Sequence, residues 1–207
     1  MLNAKKGISA RQLSRDIEVN KNTAWFVLMR IRRAMIEQGQ LLEGIVEADE
    51  TYVGGKNRNK HKDKRDKGGQ GRNTGSKVAV FGIVERGGRV KAGKVKDVSG
   101  KTLKTLINQL VRKGSTVMTD EWRSYNGLSP NFLHQTVSHG LGQYVNGEAH
   151  TNSIEGFWAL LKRGIVGQYH KVSARHLNKY INEFSFRYNH RNIELAFDLT
   201  LQKALTL

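Results

Sequence analysis

Apolar residues in the first forty positions recur at helical spacing. In ISARQLSRDIEV, Ile8, Leu13 and Ile17 fall near one face, and Ser9 stands where an N-cap belongs. The pattern breaks at Val19-Asn20-Lys21-Asn22 and restarts as TAWFVLMRIRRAM, with Ala24, Val27, Leu28 and Ile31 along one stripe. Two helices joined by so tight a break predict a helix-turn-helix over residues 1–40. An ordinary helical hairpin has the same pattern, and the break carries Glu18 where a glycine is the more usual residue.

From Gly44 the period shortens to two. GIVEADETYVGG alternates and is rich in β-branched residues, which predicts a strand. KVAVFGIVER and RVKAGKVKDV are two further strands meeting at Gly87-Gly88, a hairpin signal. SGKTLKTLINQLVRK then reads as a helix with Leu103, Leu106, Ile107 and Leu110 on one face, STVMTD as a short strand and NFLHQTVSH as another. From about Asn152 two or three helices follow, with apolar faces that include Phe157, Leu160, Leu161, Leu177, Tyr180, Ile181 and Phe184. This order predicts a mixed α/β fold, a sheet covered by helices. There are no internal repeats.

Charge changes the picture. The chain has 35 Lys and Arg against 18 Asp and Glu, a net +17 in 207 residues. A polyanion is the natural partner, since basic side chains on phosphates release condensed counterions; an RNA binder and a membrane-surface protein share that composition. Double-stranded DNA is the partner the helix-turn-helix favours, with Lys21, Asn22 and Thr23 opening the helix that faces the major groove. Residues 54–77 hold nine Lys and Arg against two Asp and almost nothing apolar. They predict a loop between two strands, either a solvated linker or a phosphate-contacting segment through Lys56, Arg58, Lys60, Lys64, Arg65 and Arg72. No apolar run approaches the roughly 20 residues of a membrane span, and no secretory signal follows Met1. Without cysteine there is neither a disulfide framework nor a thiolate zinc site, which fits the cytoplasm.

The candidate chemistry is acidic. Asp49 is expected at the end of a strand, with Glu47 on the same pleat face and Glu50 on the other. Asp120 follows the strand TVMT, and Glu155 opens a helix in HTNSIEGFWALLK. Strand ends in mixed sheets gather side chains from distant segments. Three carboxylates there call for a divalent cation, Mg²⁺ or Mn²⁺, and two such ions clamp the attacking and leaving oxygens of a phosphoryl displacement. Each acid also has a plainer reading: Asp49 beside Glu50 as a solvated strand end, Asp120 ahead of EWRSY as an N-cap, and Asn152-x-x-Glu155 as a near capping box. The 35 positions from Asp120 to Glu155, with Lys162 seven further on and on the same helix face, are hard to assign to capping alone. His150, Trp122, Trp158 and Tyr169 read as structural residues.

This Asp–Asp–Glu spacing with its following Lys resembles the DDE transposase and integrase signature. More narrowly, VEADETYVGGK, MTDEWRSY, HTNSIEGFWALLKRGIVGQYHKVSARHLNKYINEF and FRYNHR resemble the ISXO-group insertion-sequence transposases, and the amino-terminal helices resemble the helix-turn-helix of that group. The resemblance implies an RNase H-like catalytic domain over 44–190, with a helical tail over 191–207. It implies metal-dependent cleavage at terminal inverted repeats and joining of the freed 3′ ends to target DNA, in a bacterial, nucleoid-associated multimer assembled on DNA. It further implies that Asp49 bridges both metal ions while Asp120 and Glu155 complete one shell each. Asn152, one turn before Glu155, is the other candidate for the third position. The group has a cysteine-rich zinc ribbon ahead of the helix-turn-helix that this sequence lacks, so impaired end recognition is expected. A truncated, non-catalytic DNA-binding copy and a structure-selective nuclease are the rival readings.

Overall fold

The computed structural model describes residues 1–2, 4, 6–37, 39–54, 77–128, 130–137, 150–191 and 196–206. In chain order its elements are α1 (Ala10–Asp16), α2 (Lys21–Ala34), β1 (Ile45–Val53), β2 (Val78–Glu85), β3 (Val90–Lys94), α3 (Gly100–Leu110), β4 (Thr116–Asp120), β5 (Leu133–Val137), α4 (Asn152–Gly164), α5 (Leu177–Asn189) and α6 (Ala196–Leu205). They form two compact units, one of residues 41–156 and one of residues 1–40 with 157–207.

In the first unit five strands lie in the order β3-β2-β1-β4-β5. The first three form an antiparallel meander, and β4 and β5 run parallel to β1. A meander continued by parallel strands in this order is an RNase H-like sheet, so the expected mixed α/β class is borne out. The meander's second turn uses Gly87 at φ 70, a left-handed conformation that glycine adopts without a Cβ clash. Alternation decides what each face of β1 does. Val46 and Ala48 turn into an apolar cluster with Phe81, Ile83 and Val117 of the sheet and Leu103 and Ile107 of α3. Full burial of a Leu or Ile contributes about 1.5–3 kcal/mol, so the α3 stripe is a principal anchor of this layer. Ile45 and Glu47 turn to the opposite face, where Met118 and Val137 form a second, smaller apolar group with Ile45.

In the second unit the two predicted amino-terminal helices form. Ser9 Oγ accepts from Gln12 N at 3.2 Å, and Asn20 Oδ1 accepts from Asn22 N and Thr23 N, both at 2.9 Å. The turn between them is made by Glu18 itself, at φ 52. The position does demand the conformation that glycine favours, and a non-glycine residue supplies it. On α5, Leu177, Tyr180, Ile181 and Phe184 are buried as the period predicts.

The sequence pattern gave no sign of the charge pair at the centre of this unit. Arg32 of α2 meets Glu183 of α5 at 2.7 Å, both fully buried. Tyr169 donates to both carboxylate oxygens, at 3.0 and 3.1 Å, and the Tyr180 ring lies 4.1 Å from the Arg32 guanidinium. Burial, and then the adjacent Glu183 carboxylate, push the Tyr169 hydroxyl above its ordinary range.

Candidate carboxylate site

The last pair of the β1–β4 ladder is Glu47 with Met118. Asp49 and Asp120 each lie two residues beyond that last pair, on the two strands that form it. Asp120 ends β4 as expected. Asp49 does not end its strand. It is paired with Gly82 of β2, and β1 runs on to Val53 because the β2 ladder continues to Val53–Val78. The paired contact with β4 ends earlier, at Glu47.

Local bonds hold Asp120 and Glu50. Asp120 Oδ1 accepts from Trp122 N at 3.0 Å, an Asx turn that leads into the short 3-10 turn Arg123–Tyr125. The N-cap of that turn is Trp122, and its side chain makes no capping bond. Tyr125 is buried and donates to Glu50 Oε2 at 2.8 Å. Its hydroxyl is pushed well above its ordinary range by burial first, then by Glu50, with smaller contributions from Asp49 and Asp120. Asp49 and Asp120 thus lie within electrostatic reach of the buried phenol that bonds Glu50 on the other face of β1. Beneath Asp120, the Thr119 hydroxyl donates to the Asp120 carbonyl at 2.8 Å and lies 2.9 Å from His134 Nε2.

Glu155 stands in the first turn of α4. The buried positions of that helix are Ile154, Phe157, Trp158 and Leu161, an i, i+3, i+4, i+7 stripe that leaves Asn152, Glu155 and Lys162 on the exposed face. Thr151 Oγ1 donates to Glu155 Oε1 at 3.0 Å. Two N–H groups of the first turn, those of Ser153 and Ile154, are taken by Glu47 of β1, at 2.8 and 3.1 Å. Glu47 and its partner Arg86 are the residues that sequence reasoning missed. The signal available was Glu47 two positions before Asp49 on the same strand face.

The donor set fits a hard divalent cation: Asp49 and Asp120 offer only oxygen and are partly exposed. Among the described residues no three Asp, Glu or His side chains come together as a closed set of ligands. Asp49, Asp120 and Glu155 stand on three separate elements, β1, β4 and α4.

Lys21, Asn22 and Thr23 are exposed at the amino end of α2. Lys56, Arg58, Lys60, Lys64, Arg65 and Arg72 lie outside the described residues. Trp158 is buried, Trp122 packs against the apolar cluster under the sheet, and Tyr169 bonds Glu183, so all three are structural, as expected. No helix among the described residues is long and apolar enough to cross a membrane.

The family described as the ISXO2-like transposase domain matches residues 41–189. A protein in transposable element ISH50 of Halobacterium salinarum is 32% identical over 188 residues, covering 86% of this chain and 64% of its own length. A transposase-like protein of Haemophilus influenzae is 29% identical over 112 residues, covering 54% of this chain and 88% of its own. Among solved structures, the HTLV-2 integrase catalytic core domain in complex with magnesium, in its dimeric form, aligns with TM-score 0.40 at 17% identity, over 79% of this chain and 98% of that one. The family match spans well over half of the sequence and includes Asp49, Asp120 and Glu155; the chain belongs to the ISXO2-like transposase domain family.

Proposed function

We propose that this protein is a DDE-type transposase that cleaves DNA at the terminal inverted repeats of an insertion sequence and joins the freed ends to a target. The observation that supports this best is the match of residues 41–189, which hold Asp49, Asp120 and Glu155, to the ISXO2-like transposase domain family. Asp49, Asp120 and Glu155 would hold two Mg²⁺ or Mn²⁺ ions, with Asp49 shared between them. Bound ions supply Lewis-acid activation and a clamp on the attacking and leaving oxygens of the phosphodiester.

The protein's own residues bind and orient. Asp120 is held by the Trp122 amide, and Tyr125 fixes Glu50 and hence the strand next to Asp49. Glu155 is the third carboxylate rather than Asn152, because a carboxylate is the stronger ligand for a hard cation. Lys162, two turns along the same exposed helix face, contacts a phosphate of the bound DNA. Lys21, Asn22 and Thr23 enter the major groove, and the basic segment 54–77 adds phosphate contacts. Cutting two ends and joining them to one target calls for a multimer on DNA, in the bacterial cytoplasm at the nucleoid.

Asp49→Ala separates the chemistry from the binding. It is expected to lower Mg²⁺-dependent nicking of element-end DNA by at least about a thousandfold, some 4 kcal/mol of transition-state stabilisation. Affinity for the same DNA in a gel-shift titration should stay within about twofold. Nicking by the variant at the unsubstituted rate overturns the assignment. DNA binding by the unsubstituted chain with no cleavage in Mg²⁺ or Mn²⁺ would instead mark a non-catalytic DNA-binding copy.

A further inference from the structure

Glu47 is 0% exposed, in a sheet face that is otherwise sparsely apolar. An ionised carboxylate there is tolerable only if its oxygens are fully engaged. Arg86 Nε donates to Oε1 at 2.8 Å, Ser153 Oγ to Oε1 at 3.0 Å, Ser153 N to Oε2 at 2.8 Å and Ile154 N to Oε2 at 3.1 Å. His150 Nδ1 stands 3.3 Å from Oε1, off the hydrogen-bond line. Arg86 also reaches forward, its Nη2 donating to the His150 carbonyl at 2.9 Å. The acceptor thus belongs to β1, and three of its four hydrogen-bond donors belong to the first turn of α4, more than a hundred positions away in sequence.

The two ends of this clamp are each two residues from a candidate metal-holding acid. Glu47 and Asp49 point to one face of β1, about 7 Å apart along the strand. Ser153 and Glu155 are separated by about 3 Å of helical rise. Ser153 and Glu155 face different sides of the helix, so the bonds from Glu47 to Ser153 and Ile154 act on Glu155 by fixing the position and tilt of the turn that carries it. Thr151, buried at the start of the same turn, orients the Glu155 carboxylate through its hydroxyl.

We infer that Glu47 is a positioning residue: its carboxylate, steadied by Arg86, caps the first turn of α4 and so sets where Glu155 stands relative to Asp49 and Asp120. This rests on the reading of Glu155 as the third metal-holding carboxylate. A residue that only stabilised the fold would affect unfolding but not metal binding. A positioning residue affects the metal through Glu155 and through nothing else.

The test is Mn²⁺ binding to the purified full chain without DNA, read from loss of the free-ion electron paramagnetic resonance signal, with thermal unfolding followed in parallel. Glu47→Gln has nearly the same size and keeps one acceptor oxygen, so it serves alongside Glu47→Ala should the latter fail to fold. We expect Glu155→Ala to weaken Mn²⁺ binding at least about tenfold. Glu47→Gln should weaken it in the roughly 10–100-fold range found for residues that orient metal ligands. The double variant should bind no more weakly than Glu155→Ala alone, because two residues acting through one contact are not additive. Undiminished affinity in a folded Glu47→Gln protein, or additive losses in the double variant, overturns the inference while leaving Glu155 a ligand. Undiminished affinity in Glu155→Ala overturns the ligand reading itself.

Discussion

Glu18 holds the turn between α1 and α2 at φ 52, where a side chain crowds the backbone. That conformation costs a non-glycine residue about 1–2 kcal/mol, against which glycine brings about 1 kcal/mol of extra freedom to the unfolded chain. Glu18→Gly should therefore raise stability by a few tenths to about 1 kcal/mol, seen as a higher urea midpoint at unchanged slope. A second residue-scale expectation concerns His134, whose partial burial beside Thr119 lowers its pKa below the ordinary histidine value of 6.5. The folded state then favours neutral imidazole, so this contribution is complete above pH 6.5 and is lost as acidity carries the pH down through the lowered folded value. Between pH 7.5 and 5 the unfolding midpoint should fall less in His134→Asn than in the unsubstituted protein. An equal fall would mean that other groups carry the pH dependence. Asp49, Asp120 and Glu155 were singled out by the motifs around them and by the 35 positions from Asp120 to Glu155, with Lys162 seven further on. Glu47 was not, because its partners lie 39, 106 and 107 positions away and only the folded sheet supplies them.

Among the elements, strands and helices followed from periodicity almost throughout, and the departures have physical causes. β1 extends past Asp49 because pairing with β2 outlasts pairing with β4, a difference of partner that no single strand encodes. The Arg32–Glu183 link between α2 and α5 was equally hidden, since a long basic residue in an amphipathic helix ordinarily reads as part of its wet face. Its energetics give a clear prediction. Removing one member leaves the other charge buried, at a cost of about 3–5 kcal/mol, whereas an apolar pair of similar volume is often neutral. Glu183→Ala should lower unfolding free energy by that amount, and Arg32→Met with Glu183→Leu should recover most of it. A double variant as unstable as the single one would show that the Tyr169 and Arg187 contacts to Glu183 carry the stability instead.

For the whole molecule, charge is the dominant quantity and is unevenly distributed. Residues 54–77 carry nine basic and two acidic side chains, a net +7 of the total +17. The strands on either side close on the Val53–Val78 pair, which fixes both ends of the segment at one strand spacing. Replacing residues 54–77 by Asn-Gly, a two-residue turn suited to this hairpin, should leave the thermal midpoint nearly unchanged. If the segment meets phosphates, the slope of log affinity for DNA against log salt should become shallower by roughly one per lost contact. An unaltered slope assigns the segment to a linker.

The alternation of β1 has one more consequence, for how the molecule avoids making a folded but dead copy of itself. Glu47 and Asp49 share one face, while Val46 and Ala48 share the apolar one. A slip of the strand by one residue exchanges the two sets completely. It would drive two carboxylates into the layer against Leu103 and Ile107 and strip Arg86 and the first turn of α4 of their acceptor. Such a misthreaded chain could not hold its sheet together long enough to accumulate. Any copy stable enough to persist already has its acids on the correct side, so the folding reaction proofreads the site.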